Sequence, residues 1–206
     1  ILGLALILFV MDSMSAFAAD KHPGEKLYRK KTCFACHGKG GAHGVLSYPH
    51  LAGQQKEYLL SQYNDIKSGK RVASADDSGS PRTKGMKDVL HVVSDDEVSQ
   101  IFDWLSQQTI ALKGVESISE DRRKAGSELY TTKGCIACHG VRGYAPIAPS
   151  YAVIGGQKSE YIYLQLKDIK DGVRTNGQSA VMAPLVSPLT DEEMKLLGDY
   201  LATCEK

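Results

Sequence analysis

With 206 residues, 42% of them hydrophobic, the chain is long enough for two compact domains of roughly ninety residues each. Lys and Arg number 25 against 24 Asp and Glu, and neither half carries the basic excess that nucleic-acid binding needs. Docking to other proteins must therefore rest on local patches.

Residues 1–19 read as an export signal. Ile1 to Val10 is almost wholly apolar, and Ala16-Phe17-Ala18-Ala19 supplies a small-residue cleavage site. A membrane anchor needs about 20 apolar residues, and Asp12 interrupts this run, so cleavage after Ala18 or Ala19 is expected. The mature protein is then placed in the periplasm.

The first domain is expected over 20–107. A short helix from Gly24 to Lys31 leads into Cys33-Phe34-Ala35-Cys36-His37, and the glycine-rich stretch Lys39 to Tyr48 reads as loop. Tyr58, Leu59, Gln62 and Ile66 stand at helical spacing in a helix from Gln55 to Ser68 that Gly69 ends. Arg71 to Gly85 reads as loop. Ser94-Asp95-Asp96-Glu97 is a capping box opening a helix through Val98, Ile101, Phe102 and Leu105.

A linker is expected over 108–121, and a second domain over 122–206 repeats the order. Cys135-Ile136-Ala137-Cys138-His139 is followed by a helix near Gln157 to Lys170, a loop through Pro184, and a last helix opened by Thr190-Asp191-Glu192-Glu193. No segment alternates as a strand, so the fold class is all-α.

The two halves are internal copies. Gly24-Glu25-Lys26-Leu27-Tyr28 matches Gly126-Ser127-Glu128-Leu129-Tyr130, and Gly53-Gln54 matches Gly156-Gln157. Gln62 to Lys67 aligns with Gln165 to Lys170, and Arg71 with Arg174. The offset is 102 residues at Cys33/Cys135 and 103 at Gln54/Gln157, which marks tandem domains rather than a solenoid repeat.

Each Cys-x-x-Cys-His points to c-type haem attachment: Cys33 and Cys36, or Cys135 and Cys138, add to the vinyl groups of one haem, and His37 or His139 ligates its iron. Two covalently bound haem c groups are expected. A zinc half-site needs a second ligand pair at suitable distance; pairing the two motifs around one zinc would span about a hundred residues and leave the duplication unexplained. A redox dithiol does not require the adjacent histidine. The fifth cysteine, Cys204, has no free partner and is expected as a packed thiol of the last helix.

The second iron ligand is sought among Met and His. His139 is the only histidine of the second half, and Met194 lies in a core stripe with Leu197 and Leu201. That leaves Met182, read as lying in a loop whose extended chain aims its thioether at iron. In the first half Met86 competes with His91, His43 and His50, the last two read as exposed loop imidazoles. Met86 is favoured because nine residues separate it from Asp95, as nine separate Met182 from Asp191. Behind His37, Pro49 is a candidate to present a carbonyl to the other ring nitrogen. The aligned residue in the second copy is Ala152, with Pro149 nearby, so the second carbonyl is left open.

With Cys-x-x-Cys-His-Gly, Leu51-Ala52-Gly53-Gln54, a Met-bearing loop and an acidic-capped last helix, each copy resembles a class I cytochrome c domain. The tandem resembles the di-haem cytochrome c4 family from Asp20 onward. The resemblance implies two domains packed around a pseudo-twofold axis with haem propionates close together at the interface. It implies a periplasmic electron carrier, not an enzyme, working between a quinol-oxidising cytochrome bc-type complex and a terminal oxidase in a respiratory chain, and it is compatible with peripheral membrane association. An electron-accepting subunit of a periplasmic dehydrogenase, for example a sulfide-oxidising one, is the alternative. A di-haem enzyme such as a peroxidase or thiosulfate dehydrogenase would need a labile ligand, which His91 or Cys204 would have to supply. Two departures stand out: 15 residues run from Arg71 to Met86 against 8 from Arg174 to Met182, and Ile154-Gly155-Gly156-Gln157 replaces Leu51-Ala52-Gly53-Gln54.

Overall fold

The computed structural model describes residues 21–112, 115 and 117–206; the expected signal segment and part of the linker lie outside the described residues. The first half holds helices α1 (Pro23–Lys30), α2 (Phe34–His37), α3 (Lys56–Ser68), α4 (Lys84–Val89) and α5 (Asp95–Ser106). The second holds α6 (Glu120–Thr132), α7 (Cys135–His139), α8 (Ser159–Lys170), α9 (Ser179–Val186) and α10 (Asp191–Ala202). Among the described residues the only β pairing is an isolated bridge between Ala75 and Pro81, so the fold is all-α and duplicated.

Local chemistry sets the helix ends. Ser94 accepts from the Glu97 amide while Glu97 accepts from the Ser94 amide, and Thr190 and Glu193 do the same on α10. Each box satisfies two amide donors that the first turn would leave unpaired. Gly69 ends α3 in the left-handed region at φ 79°, as an αL cap requires.

In each domain the first helix crosses the last. A Cβ on Gly24 would stand 2.1 Å from the Gln100 carbonyl oxygen, and one on Gly126 the same distance from that of Leu196. The glycines matched between the copies are thus the points where α1 meets α5 and α6 meets α10. Gly24→Ala is expected to destabilise by ~1–3 kcal/mol through overpacking, although the same change in an unobstructed helix would stabilise by about 0.5–1 kcal/mol. A thermal melt followed by circular dichroism decides the sign; an unchanged or raised midpoint would mean that the helices do not cross there.

Two buried clusters follow. Tyr28, Leu59, Tyr63, Ile66, Ile101, Phe102, Trp104 and Leu105 fill the first. Tyr130, Ile162, Ile169, Val186, Leu189, Met194, Leu197 and Leu201 fill the second. Met194 is fully buried in that stripe, as the periodicity requires. Cys204 is a packed thiol, buried with Sγ 3.4 Å from the Tyr200 carbonyl.

Two expectations are corrected. Met86 and Met182 do not sit in loops, and the chain at Met182 is not extended: Met86 lies in α4 and Met182 in α9, with Pro184 inside the latter. A helix of under three turns is too short to show a period, and a proline reads as a break even where an 8-residue helix can carry it. His50 is also not an exposed imidazole, being 7% exposed, whereas His43 and His91 are on the surface.

Candidate haem centres

The two Cys-x-x-Cys-His motifs fold alike. Each forms a short helix whose histidine is buried, and a buried tyrosine ties down the residue after it: Tyr28 donates to the Gly38 carbonyl and Tyr130 to that of Gly140, both at 2.7 Å. The imidazole orientation is fixed from behind. His37 Nδ1 lies 3.0 Å from the Pro49 carbonyl oxygen and His139 Nδ1 lies 2.9 Å from that of Ala152. The carbonyl left open in the second copy is therefore that of Ala152, and Pro149 is not used. Donation from Nδ1 selects the tautomer that leaves Nε2 as the metal-binding nitrogen. Burial lowers both histidine pKa values, against the raising effect of these carbonyl bonds, and so favours the neutral ring.

Beside each histidine stands a tyrosine edge, Tyr48 at 6.2 Å from His37 and Tyr151 at 6.3 Å from His139 between ring centres. The sequence-predicted methionines arrive at the same cores as the motif cysteines. Cys33 and Met86 both pack, half-buried, against the first cluster, and Cys135 and Met182 against the second. His91 stays outside, exposed on a turn of 3-10 helix over Leu90–Val92.

The surroundings fit a haem. Apolar side chains that a finished core would cover stand open near the motifs and the methionines: Leu46 at 79% exposed, Ile147 at 65%, Val89 at 52% and Val181 at 51%. Exposed apolar groups gathered around a site mark a missing apolar partner, and a macrocycle supplies one. None of the five cysteines is in a disulfide, which leaves both motif pairs free for thioether formation. Both ring nitrogens of His50 are buried without a hydrogen-bond partner, an expensive state that a carboxylate-bearing cofactor can relieve.

The centres are joined by an interface whose contributing residues the motifs do not name. Gln54 donates to the Val153 carbonyl and accepts from its amide, both at 2.8 Å, while Gln157 does the same to His50 at 2.9 Å. Arg71 donates to its own Gln62 and to Tyr161 and Gln165 opposite; Arg174 donates to its own Gln165 and to Tyr58 and Gln62 opposite. Every contact has its counterpart 103 residues along, the reciprocity of an isologous pair. The available signal was the persistence in both copies of polar residues, Gly-Gln, Gln62/Gln165 and Arg71/Arg174, that a core stripe does not need.

The longer loop of the first domain packs on the second. Arg82 pairs with Asp168 at 2.6 Å, and Ser74 donates to the same carboxylate through its amide at 3.2 Å and through its hydroxyl. The counterpart, Asp65, receives only Asn176 from the shorter loop, at 2.7 Å. The extra residues thus strengthen one side of the interface. Among the described residues, no helix is long and apolar enough to cross a membrane.

Comparison with known proteins agrees with this geometry. The family model for cytochrome c matches twice, over residues 22–109 and 123–205. Cytochrome c4 from Azotobacter vinelandii is 28% identical over 204 residues, covering 95% of this chain and 94% of the relative. A thiosulfate dehydrogenase electron acceptor from Thiomonas intermedia is 27% identical, covering 83% of this chain and 77% of the relative. The crystal structure of reduced recombinant cytochrome c4 from Pseudomonas stutzeri superposes with a TM-score of 0.74 at 27% identity, over 91% of this chain and 100% of that one. Two haem c groups, covalently held by two docked copies of one small helical domain, make this an electron-transfer cytochrome, and the chain belongs to the cytochrome c family in its di-haem cytochrome c4 branch.

Proposed function

We propose that the protein is a periplasmic carrier that takes single electrons from a quinol-oxidising cytochrome bc-type complex and delivers them to a terminal oxidase or another acceptor, without turnover of its own. The observation that carries this reading is the pair of equivalent centres clasped by reciprocal hydrogen bonds, which fixes two redox sites in one rigid body. The bound haems supply a one-electron couple at each iron.

The chain's own residues do the rest. Cys33, Cys36, Cys135 and Cys138 tether the groups. His37 and His139, oriented by Pro49 and Ala152, would hold the irons through Nε2, and Met86 and Met182 would supply the second protein ligand of each. With two protein ligands each, the irons would offer no open position to a small molecule and would exchange single electrons with little rearrangement.

Stopped-flow reduction followed by mixing with a membrane oxidase should show rapid oxidation of both haems. Assays with peroxide, thiosulfate and sulfide should give no turnover. Rates typical of enzymes, about 1 to 10³ per second, in the isolated chain would sink the carrier role. The likeness to a thiosulfate dehydrogenase electron acceptor favours one second reading, an accepting subunit of a periplasmic dehydrogenase. A dehydrogenase that stays with the protein through purification from periplasm would support it.

A further inference from the structure

The clasp has a geometry that connects each domain to the other's iron. Pro49 C=O, which receives His37 Nδ1–H, and His50 N–H, which donates to Gln157, are the two ends of one peptide unit. Ala152 C=O, which receives His139 Nδ1–H, and Val153 N–H, which donates to Gln54, are the ends of its counterpart. A peptide unit is planar and rigid, so holding its N–H in place also fixes where its carbonyl points. Both glutamines also grip the next carbonyl along, that of His50 or Val153.

The glutamines are themselves well held. They are 6% and 5% exposed, and each follows a glycine in the left-handed region, Gly53 at φ 68° and Gly156 at φ 70°. The amides of those glycines bond the carbonyls of Leu105 and Leu201 at the ends of α5 and α10. The last helix of each domain thus anchors a turn that reaches across the interface.

We propose that Gln54 and Gln157 are crossed positioning residues: each sets the proximal hydrogen bond, and with it the reduction potential, of the haem in the domain to which it does not belong. The inference rests on His37 and His139 being iron ligands through Nε2. A peptide whose N–H is engaged is a better acceptor at its carbonyl, because linked hydrogen bonds polarise one another. A better acceptor at Nδ1 raises the basicity of the imidazole at iron and so favours the ferric state. Loss of the clasp should therefore raise the potential, and it should do so across the interface. This gives the docked pair a means of tuning one centre through the integrity of the other domain.

The test uses the full holoprotein labelled with 15N-histidine. In the reduced state the Nδ1–H resonances of His37 and His139 are assigned through their proximity to the His50 and Val153 amides, and the potential of each haem is followed through its own histidine. Gln157→Met, which keeps length and removes both hydrogen bonds to His50, is expected to move the His37 Nδ1–H resonance. It should also reduce the first haem more readily by about threefold at fixed ambient potential, which is ~30 mV at 59 mV per decade for one electron. The second haem should move much less. Gln54→Met should give the mirror image and carries the test by itself if the first variant does not fold. Tyr161→Phe removes a cross-domain bond from Arg71 without touching either peptide, and should leave both potentials in place. A shift confined to the variant's own domain, equal shifts at both haems, or no shift would overturn the proposal. Absence of haem ring-current shifts on the His37 and His139 ring protons of the unaltered protein would instead defeat the ligand reading, and that is seen before any variant is made.

Discussion

Met182→Ala is expected to convert the second centre to high spin, remove about half of the near-infrared thioether-to-ferric charge-transfer absorption, and lower the second potential. Met ligation raises the potential relative to other axial ligands, and the second domain offers no other free methionine, histidine or thiol: Met194 is fully buried in the core, Cys204 is buried against the Tyr200 carbonyl, and His139, its only histidine, is the motif ligand held by Ala152. Val181 and Leu185, its neighbours on α9, stand half-exposed and have no ligating atom. Optical and magnetic circular dichroism spectra with a redox titration check the result. An unaltered band would assign the ligand to another residue.

Asp168→Ala is expected to be the most damaging single change at the interface, costing about 3 kcal/mol. Asp168 is 1% exposed and answers Arg82, Ser74 N–H and the Ser74 hydroxyl, all from the opposite domain. Removing one partner of a buried pair leaves the other charge without compensation, typically at ~3–5 kcal/mol; Arg82 keeps 17% exposure and can regain some water, which places the value at the low end. Because these bonds cross between domains, the loss should also weaken cooperativity. Denaturant unfolding monitored by haem absorbance is expected to split into two transitions, where the intact protein gives one. Asn176→Ala, on the mirror side, breaks a bond to Asp65 that has no charged donor and should cost less. Equal costs for the two would mean that the longer loop adds nothing.

Determinants that lie within a few residues of each other were decided by the sequence alone. The Cys-x-x-Cys-His motifs name the cofactor, the Ser94 and Thr190 boxes start α5 and α10, and the 3.6-residue stripe buries Met194. The internal repeat gave the duplication and the all-α class. Tertiary structure decided what depends on residues far apart in the chain. The helical setting of Met86 and Met182 was hidden because helices of six and eight residues show no period and Pro184 looks like a break. The burial of His50 and the roles of Gln54, Gln157, Arg71, Arg174 and Asp168 could not be read because their partners in the opposite domain lie 86 to 116 residues away. A local pattern records the face a side chain presents to its own helix or core. Which polar groups meet across a docked interface is fixed only when two finished domains fit their surfaces together, since a buried polar atom must find its partner wherever the packing puts one.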